Sequence, residues 1–469
     1  MNWKKGIAYF GLLLITLTMI IAFMLKRNLD KMYGAHTKLV DTEQFQPKTG
    51  TVLIKNGNVL SEDGLRFLEG HTVLLENGVI TAIDSTVSIP IDATIIDATG
   101  KFLIPGLIES HAHLFKSRND LLLYIANGVT EIREMIGSKE QLVLKKQIEN
   151  GRIGPKMWVA SPPLGTASDM QSRFISWTRR AINLADAEEA TETIKELYEQ
   201  GYDGIKIYSH LNKESYLAAT KTANELDLPI VGHIPWSVEV EDIWQNGQSE
   251  IAHLEEIMNT LRRQYGRIEM GEGDKFLDFI TEKSELIADN LIKNDIAVTS
   301  TLSLVESFVR QKFELDKVLS EIPLAYVNSS SLEGIKFGDS GFGWLPETNI
   351  YRIPKGLPQD EKMGRKAFWT IYAQACQVLA KELSQKGVKI LVGTDTNVPP
   401  MVPGFSLHKE MESLQRQGMT NAQVLQAATA YPSEFMNSNA GKIMEGYEAN
   451  LVLLDKNPLI DIRLSLIHI

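Results

Sequence analysis

Four of the chain's nine histidines fall at the ends of short apolar runs that read as strands: His111, His113, His233 and His253. His111 and His113 are two residues apart. In an extended segment that spacing points both side chains to one side, where two imidazoles can meet one ion. His233 closes DLPIVGH, His253 closes SEIAH, Asp395 follows ILVGT, and Lys206 lies inside GIKIY. Imidazole and carboxylate suit zinc and do not exclude manganese, iron or cobalt. Each residue alone has an ordinary structural use. A histidine at a strand end often serves as a loop hydrogen-bonding group, and an aspartate there often caps the next helix. A lysine inside an apolar strand is stranger, because an unpaired buried ammonium is costly. The coincidence of all six at one place is what points to a metal site. His36, His71, His408 and His468 lack the strand-end setting and read as surface or structural residues.

The six must be positioned by a repeated architecture. From about Phe102, short apolar runs alternate with helical stretches, the pattern of βα units. The expected strands are Phe102–Ile108, Thr130–Met135, Met157–Ala160, Gly204–Tyr208, Pro229–His233, Glu250–His253, Ala297–Thr301 and Ile390–Thr394. Eight units closing on themselves make a (β/α)8 TIM barrel, whose active sites lie at the C-terminal ends of the strands. One helix is well signalled: Asp186 as N-cap, a stripe of Ala190, Ile194, Leu197 and Tyr198, and Gly201 as the stop. Two long connections, from Met258 to Lys293 and from Leu304 to Gln385, are expected to cap the site. The second carries Gly338, Gly341, Gly343, Pro346, Pro354 and Pro358.

Before the barrel, residues 49–101 hold short β patterns broken by Asn-Gly, Asp-Gly and Thr-Gly turns. A β pattern returns over Gly441–Leu454. The two are assigned to one small β-sandwich module, with 102–435 as the barrel and 436–463 as the module's second part.

The chain has 469 residues, 48 basic and 59 acidic side chains, and a net charge of −11. That composition excludes a disordered or collagen-like chain, and the acidity argues against a nucleic-acid partner. Cys376 is the sole cysteine, so no intramolecular disulfide forms. Gly6 to Leu25 is a run of 20 uncharged residues, long enough as a helix to cross a bilayer. Lys4 and Lys5 precede it, and Lys26 and Arg27 follow it. A cleaved signal would have a shorter apolar core and small residues soon after it. Residues 1–27 therefore read as an uncleaved membrane anchor and 28–48 as a polar tether. Basic residues flank both ends of the run, so charge does not fix its orientation. The export-like N-terminus favours a globular part outside the cytoplasm, periplasmic or at the cell surface. The sequence carries no signal of oligomeric state.

PGLIESHAHL, GIKIY, PIVGHIPW, EIAHLEE and LVGTDT occur in the order and context of the metal-dependent amidohydrolase superfamily. The chain most resembles its prolidase-like (Xaa-Pro dipeptidase) and imidazolonepropionase-like branch. GVTEIREMIG and the run from AATAYPSEFM to GKIMEGYEANLVLLDKNPL are similar to that branch as well. The resemblance implies that His111, His113 and Asp395 hold the more buried of two divalent metals, with zinc favoured. His233 and His253 would hold the more exposed one, and Lys206 would bridge both as a carbamate formed with CO2. It further implies hydrolysis of a C–N (amide) bond in a small-molecule substrate by a metal-bridging hydroxide, with Asp395 as proton acceptor and donor. Dipeptides and N-acyl amino acids are the expected substrates. Tyr208, His210 and Arg133 are candidate substrate contacts, with Tyr208 first because it lies two residues from Lys206 on the same face.

Two alternatives stay open, and a third is argued against. An unmodified Lys206 would leave a mononuclear amidohydrolase acting on a cyclic amide, as in imidazolonepropionase-like relatives. A deaminase often pairs its fifth-strand histidine with a nearby glutamate, but the nearest after His233 is Glu239. A catalytically dead barrel would act as a binding or sensor protein. The resemblance fades at the C-terminus. Residues 464–469 do not look like the expected strand and read as a non-native tail on a truncated module, which would leave a β edge unpaired. Asn450 replaces the usual acidic residue.

Overall fold

A helix, Trp3–Met32, opens the chain. The computed structural model describes residues 3–35, 37–42, 45, 50–178, 180–269, 271–337, 340–354 and 356–463. His36, Gly338, His468 and the tail 464–469 lie outside the described residues. The helix is longer than the uncharged run and long and apolar enough to cross a membrane, a test that a signal sequence also passes. Its last turn docks on the barrel, and Gly34 behind it is buried. The segment expected as a free tether is therefore, where described, partly a packed one.

The small module is built from β1 (Thr51–Leu60), β2 (Phe67–Glu76), β3 (Val79–Asp84), β4 (Thr94–Asp97) and β5 (Phe102–Pro105). A β-sandwich was the expectation; the described strands instead form one six-stranded sheet that includes the C-terminal strand Leu451–Leu454. The cause lies in β1. It shifts register at Asn56-Gly57, so its first half pairs with β4 and its second with β5. Leu451–Leu454 runs antiparallel to β5 at the sheet's edge.

The strand expected over Phe102–Ile108 is two strands. β5 belongs to the module, and β6 (Leu107–Ala112) begins the barrel. The break is Gly106, where a Cβ would fall 1.9 Å from the Thr130 hydroxyl. The module-to-barrel boundary is thus at Gly106 and not at residue 102.

The barrel strands follow as β7 (Val129–Glu134), β8 (Lys156–Val159), β9 (Leu164–Gly165), β10 (Ile182–Asn183), β11 (Ile205–Ile207), β12 (Ile230–Gly232), β13 (Glu250–Ala252) and β14 (Ala297–Thr299). A hairpin, β15 (Ile335–Phe337) and β16 (Ser340–Phe342), precedes β17 (Ile390–Leu391) and β18, the Leu451–Leu454 strand. Ladder pairing yields three separate parallel sheets, β6-β7-β8, β10-β9-β11-β12 and β13-β14-β17. A few links at each junction bridge them. Ala160 pairs with Gly204, Ser249 N donates to Ile230 O, and Ser110 N donates to Val392 O. The links carry the order from β6 through β17 and back to β6, although the ladder itself is interrupted at each junction. β6 and β11 to β14 are buried along their whole length, as parallel strands covered on both faces must be.

The helix Ala187–Gln200 shows how local sequence sets an element. The Asp186 side chain accepts from Glu189 N, and Gly201 ends the helix at φ 84°. Ala190, Ile194 and Leu197 are buried, but Tyr198 is half exposed, so the stripe is narrower than expected. The long connections form the helices Leu254–Tyr265, Gly273–Lys293, Leu302–Phe313 and Gln359–Lys386 together with the hairpin.

Candidate metal centre

His111, His113, Lys206, His233, His253 and Asp395 all line one cavity of about 280 Å³. His111 follows Ser110 on β6, and the backbone N–H groups of Ser110 and Asp395 tie this strand to the end of β17. His233 follows Gly232, whose φ of +118° lets the backbone pass Ile207 O where a Cβ would lie at 2.3 Å. His253, Thr301, Asp395 and Asn397 all hold left-handed backbone, with φ of 72°, 47°, 59° and 69°. Such conformations cost energy in non-glycine residues and gather where function demands a fixed geometry.

Asp395 Oδ1 lies 2.7 Å from His113 Nε2 and 3.7 Å from His111 Nε2. The rings of His111 and His253 are 4.3 Å apart, and those of His233 and His253 are 5.1 Å apart. Ligand atoms of His111, His253 and Asp395 lie within 4.8 Å of one another. This tight group joins residues that the resemblance assigns to two different metals, because His253 turns its ring against His111.

Several buried atoms here lack a hydrogen-bond partner: both ring nitrogens of His111, Nδ1 of His113 and Nζ of Lys206. Burial drives the His111 pKa well down and holds His253 at about 4, so both are neutral and able to ligate. Burial also lowers Lys206 to about 8, opposed by Glu250 and Asp395. On Asp395 burial acts upward, but the His113 hydrogen bond and the charges of His113, His253 and Lys206 outweigh it and hold the carboxyl below its ordinary range. Neutral nitrogen donors, one carboxylate and orphaned buried atoms converging on one cavity fit a divalent metal centre.

Groups that sequence reading did not single out hold these candidate ligands. Glu109 Oε1 accepts from His111 N and Thr394 N, and its Oε2 from the Thr394 hydroxyl. Glu134 accepts from Leu114 N and Ile136 N. His253 Nδ1 lies 3.0 Å from the Thr301 hydroxyl, and the adjacent Leu302 N and Ser303 N donate to Glu410. His233 Nδ1 lies 2.6 Å from Ser209 Oγ and 3.2 Å from Glu256 Oε1. A carboxylate does reach His233, from the helix after β13 and not from the local Glu239. A charged residue inside an apolar strand, the signal that marked Lys206, would also have marked Glu109, Glu134 and Glu250.

The three expected substrate contacts separate. Tyr208 lines the cavity, with its ring 4.5 Å from that of His233. His210 is exposed at the rim beside Trp236 and does not line the cavity. Arg133 is fully buried outside the cavity lining, over the rings of Trp158 and Phe435 and 3.4 Å from Glu250. Its guanidinium nitrogens make no hydrogen bond, and its charge acts on Lys206. His71 and His408 make backbone contacts away from the cluster, to Glu69 O and Asn127 O.

Comparison with known proteins matches residues 367–467 to the amidohydrolase family. The chain carries an amidohydrolase family domain. A dihydropyrimidinase of Dictyostelium discoideum is 42% identical over 66 residues, which is 14% of this chain and only 12% of that protein. A 5'-deoxyadenosine deaminase of Methanosphaera stadtmanae is 20% identical over 418 residues, 87% of this chain and 86% of that one. The solved structure of a putative prolidase from Bifidobacterium longum superposes with a TM-score of 0.62 at 21% identity, covering 89% of this chain and 91% of that chain. At that identity the likeness is one of fold. It implies a (β/α)8 barrel, with the linked parallel sheets as its wall.

Proposed function

We propose that the chain is a membrane-anchored, metal-dependent hydrolase of C–N bonds, cleaving an amide of a dipeptide or N-acyl amino acid. The observation that carries this reading is the set of orphaned buried nitrogens on His111, His113 and Lys206 facing Asp395 in one cavity. His111, His113 and Asp395 would hold one metal, His233 and His253 a second, with Lys206 bridging as a carbamate. Bound divalent ions supply an acidified water and polarise the scissile carbonyl. Asp395 takes the nucleophile's proton at Oδ1 and delivers it to the leaving amine, while the His113 contact fixes that oxygen in place. Tyr208 orients the substrate against the His233 side of the cavity. Carboxylation would turn the partnerless Lys206 amine into an anion that two dications neutralise.

A second reading has its own observation. The group His111, His253 and Asp395 is tight enough to hold one ion by itself, as a mononuclear amidohydrolase would. Metal analysis of the full chain, loaded in bicarbonate, separates the two. About two equivalents, lost in Lys206→Met, support the binuclear site. One equivalent without bicarbonate dependence supports the mononuclear site, and none at all supports a dead, binding barrel. A screen of dipeptides and N-acyl amino acids with Asp395→Asn as control then tests the activity. For location, the helix Trp3–Met32 would anchor the catalytic domain outside the cytoplasm, which protease protection of intact cells checks.

A further inference from the structure

The barrel alone does not enclose the cavity. Met32 and Tyr33, at the C-terminal end of the first helix, line it together with Phe115, Phe342, Ile350 and Val398. Specific contacts fix the helix end there. Asp30 pairs with Lys116 at 3.0 Å, and the Ser331 hydroxyl donates to Met32 O at 2.6 Å. The Tyr33 ring stacks on Phe115 at 4.6 Å and lies under the Arg180 guanidinium at 5.0 Å. Farther toward the N-terminus the helix projects free, with its large apolar side chains from Leu12 to Met24 about half exposed or more. From Leu25 to Met32 the helical rise covers roughly 10 Å. A bilayer holding the apolar run would therefore lie close to the cavity mouth.

The rim itself carries a second, separate sign. Phe342 and Ile350 on the cavity lining, Met170 and Trp177 on the helix Met170–Thr178 and Trp236 beside His210 all stand out into solvent, with Trp236 62% and Phe342 51% exposed. Tyr33 ties the helix Met170–Thr178 to the docked helix end by donating to Thr178 O. Exposed apolar groups gathered around one opening mark an interaction surface, and tryptophan favours the membrane–water boundary.

We propose that this rim lies on the bilayer and that the site takes a long-chain N-acyl amide whose hydrocarbon chain enters from the membrane past Met32 and Phe342. This rests on the hydrolase reading above. The hydrocarbon half packs on the apolar wall while the amide reaches the metal ligands. Water then adds its hydroxyl to the acyl carbon, the C–N bond breaks, and the amine leaves with the water's other proton. The first helix is thus part of the substrate site as well as its anchor.

The test uses the full metal-loaded chain in phosphatidylcholine vesicles with N-acyl glycines from acetyl to myristoyl. With the chain packed on the apolar wall, kcat/KM should rise roughly 100-fold or more along the series. Met32→Ser combined with Phe342→Ser should collapse the long-to-short ratio. Equal rates on acetyl and myristoyl glycine overturn this proposal and leave the hydrolase reading intact. No hydrolysis of any member or of any dipeptide overturns both. Independently of activity, brominated lipid should quench tryptophan fluorescence in a Trp3→Phe background, and Trp177→Tyr with Trp236→Tyr should abolish that quenching. No quenching overturns the proposal whatever the rates.

Discussion

Nitrogens that line the cavity and carboxylates that hold the neighbouring backbone are equally buried, yet they are satisfied very differently. His111 has neither ring nitrogen bonded, and Lys206 Nζ has no hydrogen-bond partner. Glu109, two residues before His111, takes three donors, and Glu134 and Glu410 each take two backbone N–H groups. A buried polar atom without a partner costs about 1–3 kcal/mol, so a fold keeps it only where something else binds. The carboxylates bond to the fold itself and fix the loops that carry the candidate ligands. At this cavity the partnerless nitrogens of His111 and Lys206 mark the proposed chemistry, and the satisfied carboxylates mark the frame that aims them.

The sharpest way to break this division is Asp395→Asn. Loss of the proposed proton carrier should lower kcat/KM roughly 10²–10⁴-fold. Asparagine tolerates the left-handed backbone at φ 59°, so the denaturation midpoint should move little. A large loss of stability at unchanged activity would place Asp395 in the frame instead.

Glu109→Ala is the converse case. It strands the His111 and Thr394 N–H groups and the Thr394 hydroxyl in a dry interior. The expected loss in unfolding free energy by urea titration is about 3–5 kcal/mol. A cost below about 1 kcal/mol would mean that these bonds frame nothing.

Glu131 extends the comparison to the opposite end of the barrel, near the start of β7. Burial raises its pKa from 4.5 to about 7, eased by Lys156 and Ser438 and aggravated by Glu448 and Asp203. The folded state holds this proton between pH 4.5 and 7 while the unfolded chain has released it. Stability therefore falls as pH rises through that window, by up to about 3 kcal/mol. Glu131→Gln removes this group's share of the slope. Unfolding free energies of both proteins at pH 5 and pH 8 decide the matter, since parallel curves contradict the assignment.

What the sequence made legible were residues whose type is odd for their setting. His-x-His at a strand end, Asp395 after an apolar run and Lys206 inside one all reach the same cavity. Glu109, Glu134 and Glu250 carry the same oddity but escape notice, because a single acid near a strand end resembles ordinary alternation. The left-handed backbone at His253 and Asp395 has no local signal, since tertiary contacts impose it. Gly106 splits one apolar run into strands of two different sheets, which hydrophobicity alone cannot reveal. Met32 and Tyr33 escape for another reason. Their stretch is polar and lacks periodicity, and docking of the helix end on the barrel alone makes them a wall.

Glu256 stands between the two classes and yields the smallest effect. Its Oε2 accepts from Ile234 N while its Oε1 lies 3.2 Å from His233 Nδ1. It therefore frames the loop and also aims a proposed ligand. Glu256→Gln keeps an acceptor for Ile234 but exchanges the carboxyl that meets His233 Nδ1 for an amide. Loss of such a supporting carboxylate weakens metal binding by about 10–100-fold. Ser209 Oγ, 2.6 Å from the same nitrogen, should hold the loss near the lower figure. Metal titration by calorimetry reads which ion is affected. In a binuclear centre one of two equivalents weakens while the ion on the His111 side stays tight. If His111, His253 and Asp395 hold a lone ion, its affinity should not move, and His233 would then belong to substrate binding.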